Sequence, residues 1–304
     1  MKGVLHKVKI EHIRVRHAID YSPHHHAYIN PYNGCPMDCP FCYWLDDPEW
    51  EGRLQVRDNI VEMLRQELVQ WDAKERIYVG SICDPFCDEE IHAGLTRQCL
   101  ELLKEHKMPV LLTTSATNRV IRDYLSLLIE MREQLTIVVE LARPPFMKAM
   151  KSGEHHPGIE NANLLHQNGI RTWTTYAPII PGVSDLEGVL NVLDEEIPVY
   201  VEELLCKEGT TQAERVKKWV KQDYPEAYVT VREMIETQDY TDYNGLMKKY
   251  ERNERIFALS VSHIKQSVMV ILYGDVVYFA QKRWHFMGNR MKKSNLLEKT
   301  RKQA

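Results

Sequence analysis

Three cysteines stand in the run Gly34-Cys35-Pro36-Met37-Asp38-Cys39-Pro40-Phe41-Cys42-Tyr43, spaced C-x3-C-x2-C, in a chain of 304 residues with seven cysteines. Three thiolates this close on one loop suit an iron–sulfur cluster, whose protein ligands are cysteine sulfurs. Three thiolates on a four-iron cluster leave one iron without a protein ligand, and a small molecule can bind and be reduced there. The competing reading is a zinc site that borrows His24, His25 or His26, because structural zinc takes four protein ligands in a closed site. Against it, the sequence has no second C-x2-C or C-x2-H pair of the kind that completes a zinc knuckle. Phe41, just before the last cysteine, also favours the cluster, since an aromatic ring there can pack on a planar ligand at the open iron.

The remaining cysteines are Cys83, Cys87, Cys99 and Cys206. An odd total argues against a disulfide framework, and in a reducing compartment clustered cysteines read as metal ligands. Cys99, within Leu95-Thr96-Arg97-Gln98-Cys99-Leu100, reads as a small buried hydrophobe on a helix.

The cysteine loop needs a scaffold. Short apolar runs alternate with helical patterns over most of the chain. The runs Tyr28-Ile29-Asn30-Pro31, Ile77–Gly80, Pro109–Thr113, Leu135–Glu140, Arg171–Tyr176 and Val199–Glu202 read as strands. Apolar positions at Ile60, Leu64, Leu68 and Trp71, at Leu95, Cys99 and Leu102, at Val120, Tyr124 and Leu127, and at Ile159, Ala162 and Leu165 recur at helical spacing. A further helix follows Asp185, and Asn168-Gly169 is a helix stop. Strands joined by helices long enough for crossovers imply parallel βα units. The expectation is an α/β fold, an incomplete (β/α)6 TIM-like barrel over residues 26–205, preceded by an N-terminal extension over 1–25. Residues 206–304 read as an α+β appendage. It has helices over 210–222 and 226–257, a hairpin over Val268–Phe279 turning at Gly274-Asp275, and a basic end. From Lys282 to Ala304 there are eight Lys or Arg and one Glu.

A net charge of −4 gives no global field to recruit nucleic acid. No run of eighteen apolar residues suggests a membrane span, and the first residues lack the apolar core of a signal peptide. A soluble cytoplasmic protein is the expectation.

The cysteine spacing, with its aromatic before the last cysteine, resembles that of the radical S-adenosylmethionine (SAM) superfamily. The longer string from Ile29 through Tyr43 is similar to the spore photoproduct lyase-like branch, as are Gly80-Ser81-Ile82-Cys83-Asp84-Pro85-Phe86, Thr113-Thr114-Ser115 with Arg122-Asp123, and Pro178-Ile179-Ile180-Pro181-Gly182. The resemblance implies a [4Fe-4S] cluster on Cys35, Cys39 and Cys42 with SAM on the open iron. One electron would break the sulfonium–ribose bond, and the 5′-deoxyadenosyl radical would abstract hydrogen from substrate. The cofactor carries that chemistry, while the protein orients it and excludes side reactions. Loops at the strand C-termini of a barrel converge on one site, and all these motifs fall there.

The resemblance also suggests further contacts to the cofactor. In many relatives a Gly-Gly-Glu stretch holds the SAM ammonium. Here Ser81, Cys83 and Asp84 stand in its place, and backbone carbonyls or Asp84 can take that role; otherwise Asp84-Pro85 is a turn. Ser115 is a candidate for the ribose or carboxylate, or a helix cap. Glu140 is a candidate for ribose or substrate, Ile180 and Gly182 for the apolar adenine wall, and Phe41 for packing on the ligand at the open iron. No Arg stands in Pro157–Ala162 where relatives often place one toward the SAM carboxylate, and Arg143 is the substitute to test. Cys83 lies in the segment where spore photoproduct lyases carry a hydrogen-donating cysteine, at a different offset. Glu202, Glu203 and Lys207 can reach substrate or form a rim ion pair. His24–His26 read as a polar surface run. Trp284-His285-Phe286 offers stacking between cations or a solubilising tail.

The leading reading is thus a radical SAM enzyme acting on a metabolite, peptide or natural-product intermediate, with a flavodoxin or ferredoxin as reductant. A DNA-repair lyase and a zinc-stabilised, non-enzymatic binding module are the alternatives.

Overall fold

The computed structural model describes residues 9–259 apart from 22–26, 36, 47–52, 73, 116, 118 and 152–155. The His24–His26 run, the Val268–Phe279 hairpin, the basic stretch and Trp284-His285-Phe286 lie outside the described residues. The strands are β1 (Lys9–Ile13), β2 (Ile19–Tyr21), β3 (Ala27–Ile29), β4 (Tyr32–Asn33), β5 (Arg53–Arg57), β6 (Ile77–Val79), β7 (Val110–Thr114), β8 (Leu135–Glu140), β9 (Arg171–Ile179), β10 (Val199–Glu203) and β11 (Ile256–Leu259). The helices are α1 (Ile60–Glu67), α2 (Glu90–Ala93), α3 (Leu95–Glu105), α4 (Val120–Asp123), α5 (Leu125–Glu130), α6 (Pro144–Lys151), α7 (Pro157–Gln167), α8 (Leu186–Val192), α9 (Thr211–Asp223), α10 (Tyr228–Thr237) and α11 (Thr241–Lys249).

The main sheet runs β11-β10-β9-β8-β7-β6-β3-β2, and every neighbouring pair is parallel except β2 with β3. All six strands read from the sequence are in it, in chain order. Their near-continuous apolar runs follow from burial on both faces. Ile77, Val79, Val110, Leu112, Ile137, Val139, Val199 and Val201 join the large core shared with the helices. The alternate residues Tyr78, Leu111, Val138, Trp173 and Tyr200 form a second, smaller cluster on the other face, with Tyr28 and Phe257 packed against it.

Several expectations change in detail. The N-terminal segment is built into the fold: β2 adds an antiparallel edge to the main sheet, and β1 pairs with β5 in a second sheet of order β1-β5-β4. The helix over 120–127 comes as two short pieces, α4 and α5, that meet at Tyr124. The span 226–257 is not one helical region. It breaks at Gln238, which adopts left-handed geometry with φ 58°, and it ends in β11, a seventh parallel strand paired with β10.

A buried carboxylate locks the start of the cysteine loop to the helical layer. Glu90, 1 % exposed, accepts from the hydroxyls of Tyr32 on β4 and Tyr124. It also accepts the backbone N–H of Thr96 at 2.9 Å and of Arg97 at 3.0 Å, in the first turn of α3. The Arg97 guanidinium lies 4.1 Å over the Tyr124 ring. Burial, with Glu90 beside them, pushes both tyrosine hydroxyls far up from their ordinary pKa, so they stay donors.

Candidate active site

The first cysteine follows a turn that only glycine can make. Gly34 has φ +88°, and a Cβ there would lie 2.2 Å from the Arg53 carbonyl oxygen. From this point the loop carries Cys35, Cys39 and Cys42 to one cavity of about 170 Å³. The other walls are the C-terminal ends of five adjacent strands: Gly80–Asp84 after β6, Thr113–Ser115 on β7, Glu140 to Arg143 from β8, Ala177-Pro178 on β9 and Glu202–Leu205 from β10. Gly80 is the second obligatory glycine. At φ +82° its Cβ would meet the Thr113 carbonyl and the Pro85 ring, each at 2.5 Å, so the chain must turn tightly here to bring Ser81 to the cavity.

The cysteines are held from two sides. On one, Arg143 donates to Cys39 Sγ at 3.1 Å and to Met37 Sδ. On the other, α9 reaches over the loop: Gln212 donates to the Phe41 carbonyl at 2.6 Å and Arg215 to the Cys42 carbonyl at 2.8 Å. Thr211 and Arg215 both bond Asp46 at 2.8 Å, and Phe41 meets Trp219 edge-on with centroids 6.0 Å apart. The sequence offered no local signal for this clamp, because its partners are more than 160 residues apart.

Burial pushes the Cys39 thiol up to about 12 and Cys42 up to about 11. Cys35 is held below its ordinary value, chiefly by a hydrogen bond from Cys83, with the Arg143 charge also helping. A positively charged partner is what such buried sulfurs need in order to ionise. Among the described residues, no three His, Cys, Asp or Glu side chains converge on a single-ion site. Three thiolates on one loop that border one cavity are the kind of donor set an iron–sulfur cluster takes. The donor set therefore fits a [4Fe-4S] cluster on Cys35, Cys39 and Cys42.

Of the other residues singled out, Phe41, Ser81, Cys83, Asp84, Ser115, Glu140 and Arg143 all border this cavity. Asp84 and Ser115 are tied to each other. The Asp84 carboxylate accepts from Thr114 Oγ1 at 2.7 Å, Ser115 N at 2.9 Å, Phe86 N at 3.0 Å and the Ser115 hydroxyl. Four donors occupy the roughly four lone-pair sites of a carboxylate. The pair thus clasps the loop after β6 to the end of β7, and the neighbouring Ser81 hydroxyl is left buried without a partner. Ile180 and Gly182 are not among the residues that border the cavity; Ala177 and Pro178 are. Ile180 is fully buried, with its N–H on Ser184 Oγ at 2.9 Å. Gly182, at φ +70°, backs onto Ala227, whose Cβ would lie 2.8 Å from a Cβ at that position. Cys83 is buried at the cavity wall, Cys87 and Cys99 are in the core, and Glu202 and Glu203 border the cavity while Lys207 is exposed.

A profile of the Radical SAM superfamily matches residues 29–193, and the chain belongs to that family. It is similar to an uncharacterised protein of Methanocaldococcus jannaschii, 25 % identical over 235 residues that cover 73 % of this chain and 86 % of the relative. Its fold is similar to that of spore photoproduct lyase complexed with a dinucleoside spore photoproduct, with TM-score 0.54 and 12 % identity over 84 % of this chain and 83 % of that one. A variant of that lyase with bound AdoMet and the dinucleoside lesion aligns with TM-score 0.53 and 12 % identity, over 83 % and 82 % of the two chains. Enzymes of this family hold a [4Fe-4S] cluster and SAM, whose reductive cleavage supplies a 5′-deoxyadenosyl radical that takes hydrogen from substrate. No described helix is long and apolar enough to cross a membrane.

Proposed function

We propose that this radical SAM enzyme acts on a small organic substrate, a metabolite, peptide or natural-product intermediate, in the cavity at the C-terminal ends of β6 to β10. One observation carries the reading: the three cysteines border the same cavity as residues from five consecutive strand ends, four of which bring polar side chains. In a flat sheet those ends would spread over about 19 Å. Their convergence on one small cavity supports a partial barrel, with the helices outside and the Trp173–Tyr200 layer within. Residues 206–259 form a C-terminal unit that buttresses it.

In this reading Cys35, Cys39 and Cys42 hold the cluster. Phe41 and Pro178 supply apolar wall, with Ile180 and Gly182 as backing behind Pro178. The free Ser81 hydroxyl and the loop it belongs to receive polar groups of SAM, Arg143 balances the charge of its carboxylate, and Glu140 takes the ribose or substrate. Asp84 and Ser115 fix the shape of that wall. A flavodoxin or ferredoxin is the reductant, and a reducing compartment such as the cytoplasm suits seven cysteines that are all free.

A DNA lesion is the second reading, favoured by the fold shared with spore photoproduct lyase. The cavity argues the other way. Asp84, Glu140, Glu202 and Glu203 face a single guanidinium, Arg143, and such a lining repels a polyanion.

Anaerobic reconstitution tests the enzyme. With dithionite and SAM the product mixture should contain 5′-deoxyadenosine and methionine, and Cys39→Ala should lose both the cluster absorbance and the products. Cleavage that survives in Cys39→Ala overturns the assignment.

A further inference from the structure

Arg143 stands where β8 passes into α6, and its backbone is fixed on both sides. Its N–H donates to the Leu141 carbonyl at 2.8 Å, and its carbonyl accepts from Phe146 N at 2.9 Å and Met147 N at 2.8 Å. From this anchored position the half-buried side chain reaches the cysteine loop, where Nη1 donates to Cys39 Sγ at 3.1 Å and Nη2 to Met37 Sδ. Cys39 is 8 % exposed, so the contact is withdrawn from bulk water. Arg143 is the one lysine or arginine among the described residues that border the cavity. The charges that act on it are those of the Cys39 and Cys35 sulfurs and of the Asp84 and Glu140 carboxylates.

The other arginine at the loop is placed differently. Arg215 bonds the Cys42 carbonyl rather than a sulfur, and its charge is paired with Asp46 at 2.8 Å. Arg143 directs both terminal nitrogens at sulfur. The potential of an iron–sulfur centre depends on net charge, hydrogen bonds to its sulfurs and exposure. Reduction moves one electron from a reduced flavodoxin or ferredoxin onto the cluster, with no proton transfer, so the three-thiolate assembly becomes more negative by one charge. A guanidinium stays protonated in proteins, and its attraction to that added charge is strong at short range in a medium less polar than water. It therefore stabilises the reduced form more than the oxidised one and raises the potential. Asp84 and Glu140 act in the opposite sense.

We propose that Arg143 sets the reduction potential of the cluster: its charge, delivered at the Cys39 sulfur, offsets nearby carboxylates and brings the centre within reach of a flavodoxin or ferredoxin. Arg143 is a positioning residue in this role, since it acts through the cluster and not on substrate. The assignment rests on the radical SAM reading and gives Arg143 a function that is exerted before SAM binds.

The test is a redox titration of the anaerobically reconstituted, SAM-free enzyme, followed by electron paramagnetic resonance of the reduced cluster. At the applied potential that half-reduces the unaltered enzyme, Arg143→Met should show a reduced-to-oxidised ratio at least tenfold lower, a midpoint lower by about 59 mV or more for one electron. Arg143→Lys, which keeps the charge, should stay within threefold of the unaltered ratio. A ratio in Arg143→Met within threefold of the unaltered value overturns the proposal. So does a fall in Arg143→Lys as deep as that in Arg143→Met, because shape rather than charge would then govern the potential. If Arg143→Met does not load iron, Glu140→Gln decides: loss of a negative charge there should raise the ratio at least threefold, and no rise overturns the proposal. An unaltered enzyme that gives no iron–sulfur signal is a separate failure, since it removes the radical SAM reading itself.

Discussion

Glu90 is buried and Glu202 half-buried, and the two are treated in opposite ways. Glu90 sits between β4, α3 and the α4–α5 junction, with two tyrosine hydroxyls and two helix N–H groups on its oxygens. Glu202 sits at a strand end with one oxygen buried and bare, and burial, then the neighbouring Glu203 charge, raises its pKa to about 7. The first arrangement fixes structure, because a carboxylate that is fully bonded stays where it is. The second leaves a buried acceptor without a donor, which costs stability on the order of 1–3 kcal/mol.

The largest expected effect lies at Glu90. Glu90→Ala leaves two buried hydroxyls and two amides without an acceptor, and should destabilise the protein by about 3–5 kcal/mol, the range for breaking a buried charged network from one side. Urea unfolding measures it, and a loss under 1 kcal/mol would show that the node is decorative. Glu202→Gln should act in the opposite direction and depend on pH. Below about pH 4.5 the carboxyl is protonated in both folded and unfolded chains, and the two proteins should match. As pH rises to about 7 the unfolded chain releases its proton while the folded one keeps it, so wild-type stability falls. Above that pH the deficit is constant, on the order of 3 kcal/mol. The Gln variant, neutral throughout, should be the more stable protein at pH 8 and equal at pH 4, as read from denaturation at both values. An equal gap at both pH values would place Glu202 in the same class as Glu90. The smallest effect belongs to Arg97→Ala, which removes a cation from the Tyr124 ring but none of the Glu90 bonds, since only the Arg97 backbone serves them. A loss of about 0.5–1 kcal/mol is expected from thermal or urea melts, and a loss approaching that of Glu90→Ala would mean that the cation, rather than the hydrogen bonds, organises the node.

What the sequence disclosed follows the same physical line. Strands such as Val110–Thr114 and Leu135–Glu140 were legible because a doubly covered parallel strand must be apolar along its whole length. The residues at their ends were legible because a site at strand termini needs polar side chains just there. The strand Arg53–Arg57 escaped notice although its apolar positions alternate, with Leu54 and Val56 buried; arginines at both ends disguise it. The strand Ile256–Leu259 was absorbed into a helical pattern, and only the exposed edge of β10 explains why it is extended. The bonds from Gln212 and Arg215 to the cysteine loop had no periodic or local trace. Ile180 and Gly182 follow β9 and do not border the cavity, whereas Ala177 and Pro178 on that strand do.

The α9 clamp on the cysteine loop has a bearing on how the enzyme is made. Gln212 bonds a carbonyl 171 positions earlier. At about 5–20 residues per second of synthesis, roughly 10–30 s pass between the emergence of the sulfur ligands from the ribosome and that of the helix that pins them. During this interval the cysteine loop lacks the hydrogen bonds that Gln212 and Arg215 supply, so its braced geometry is complete only once α9 has been made.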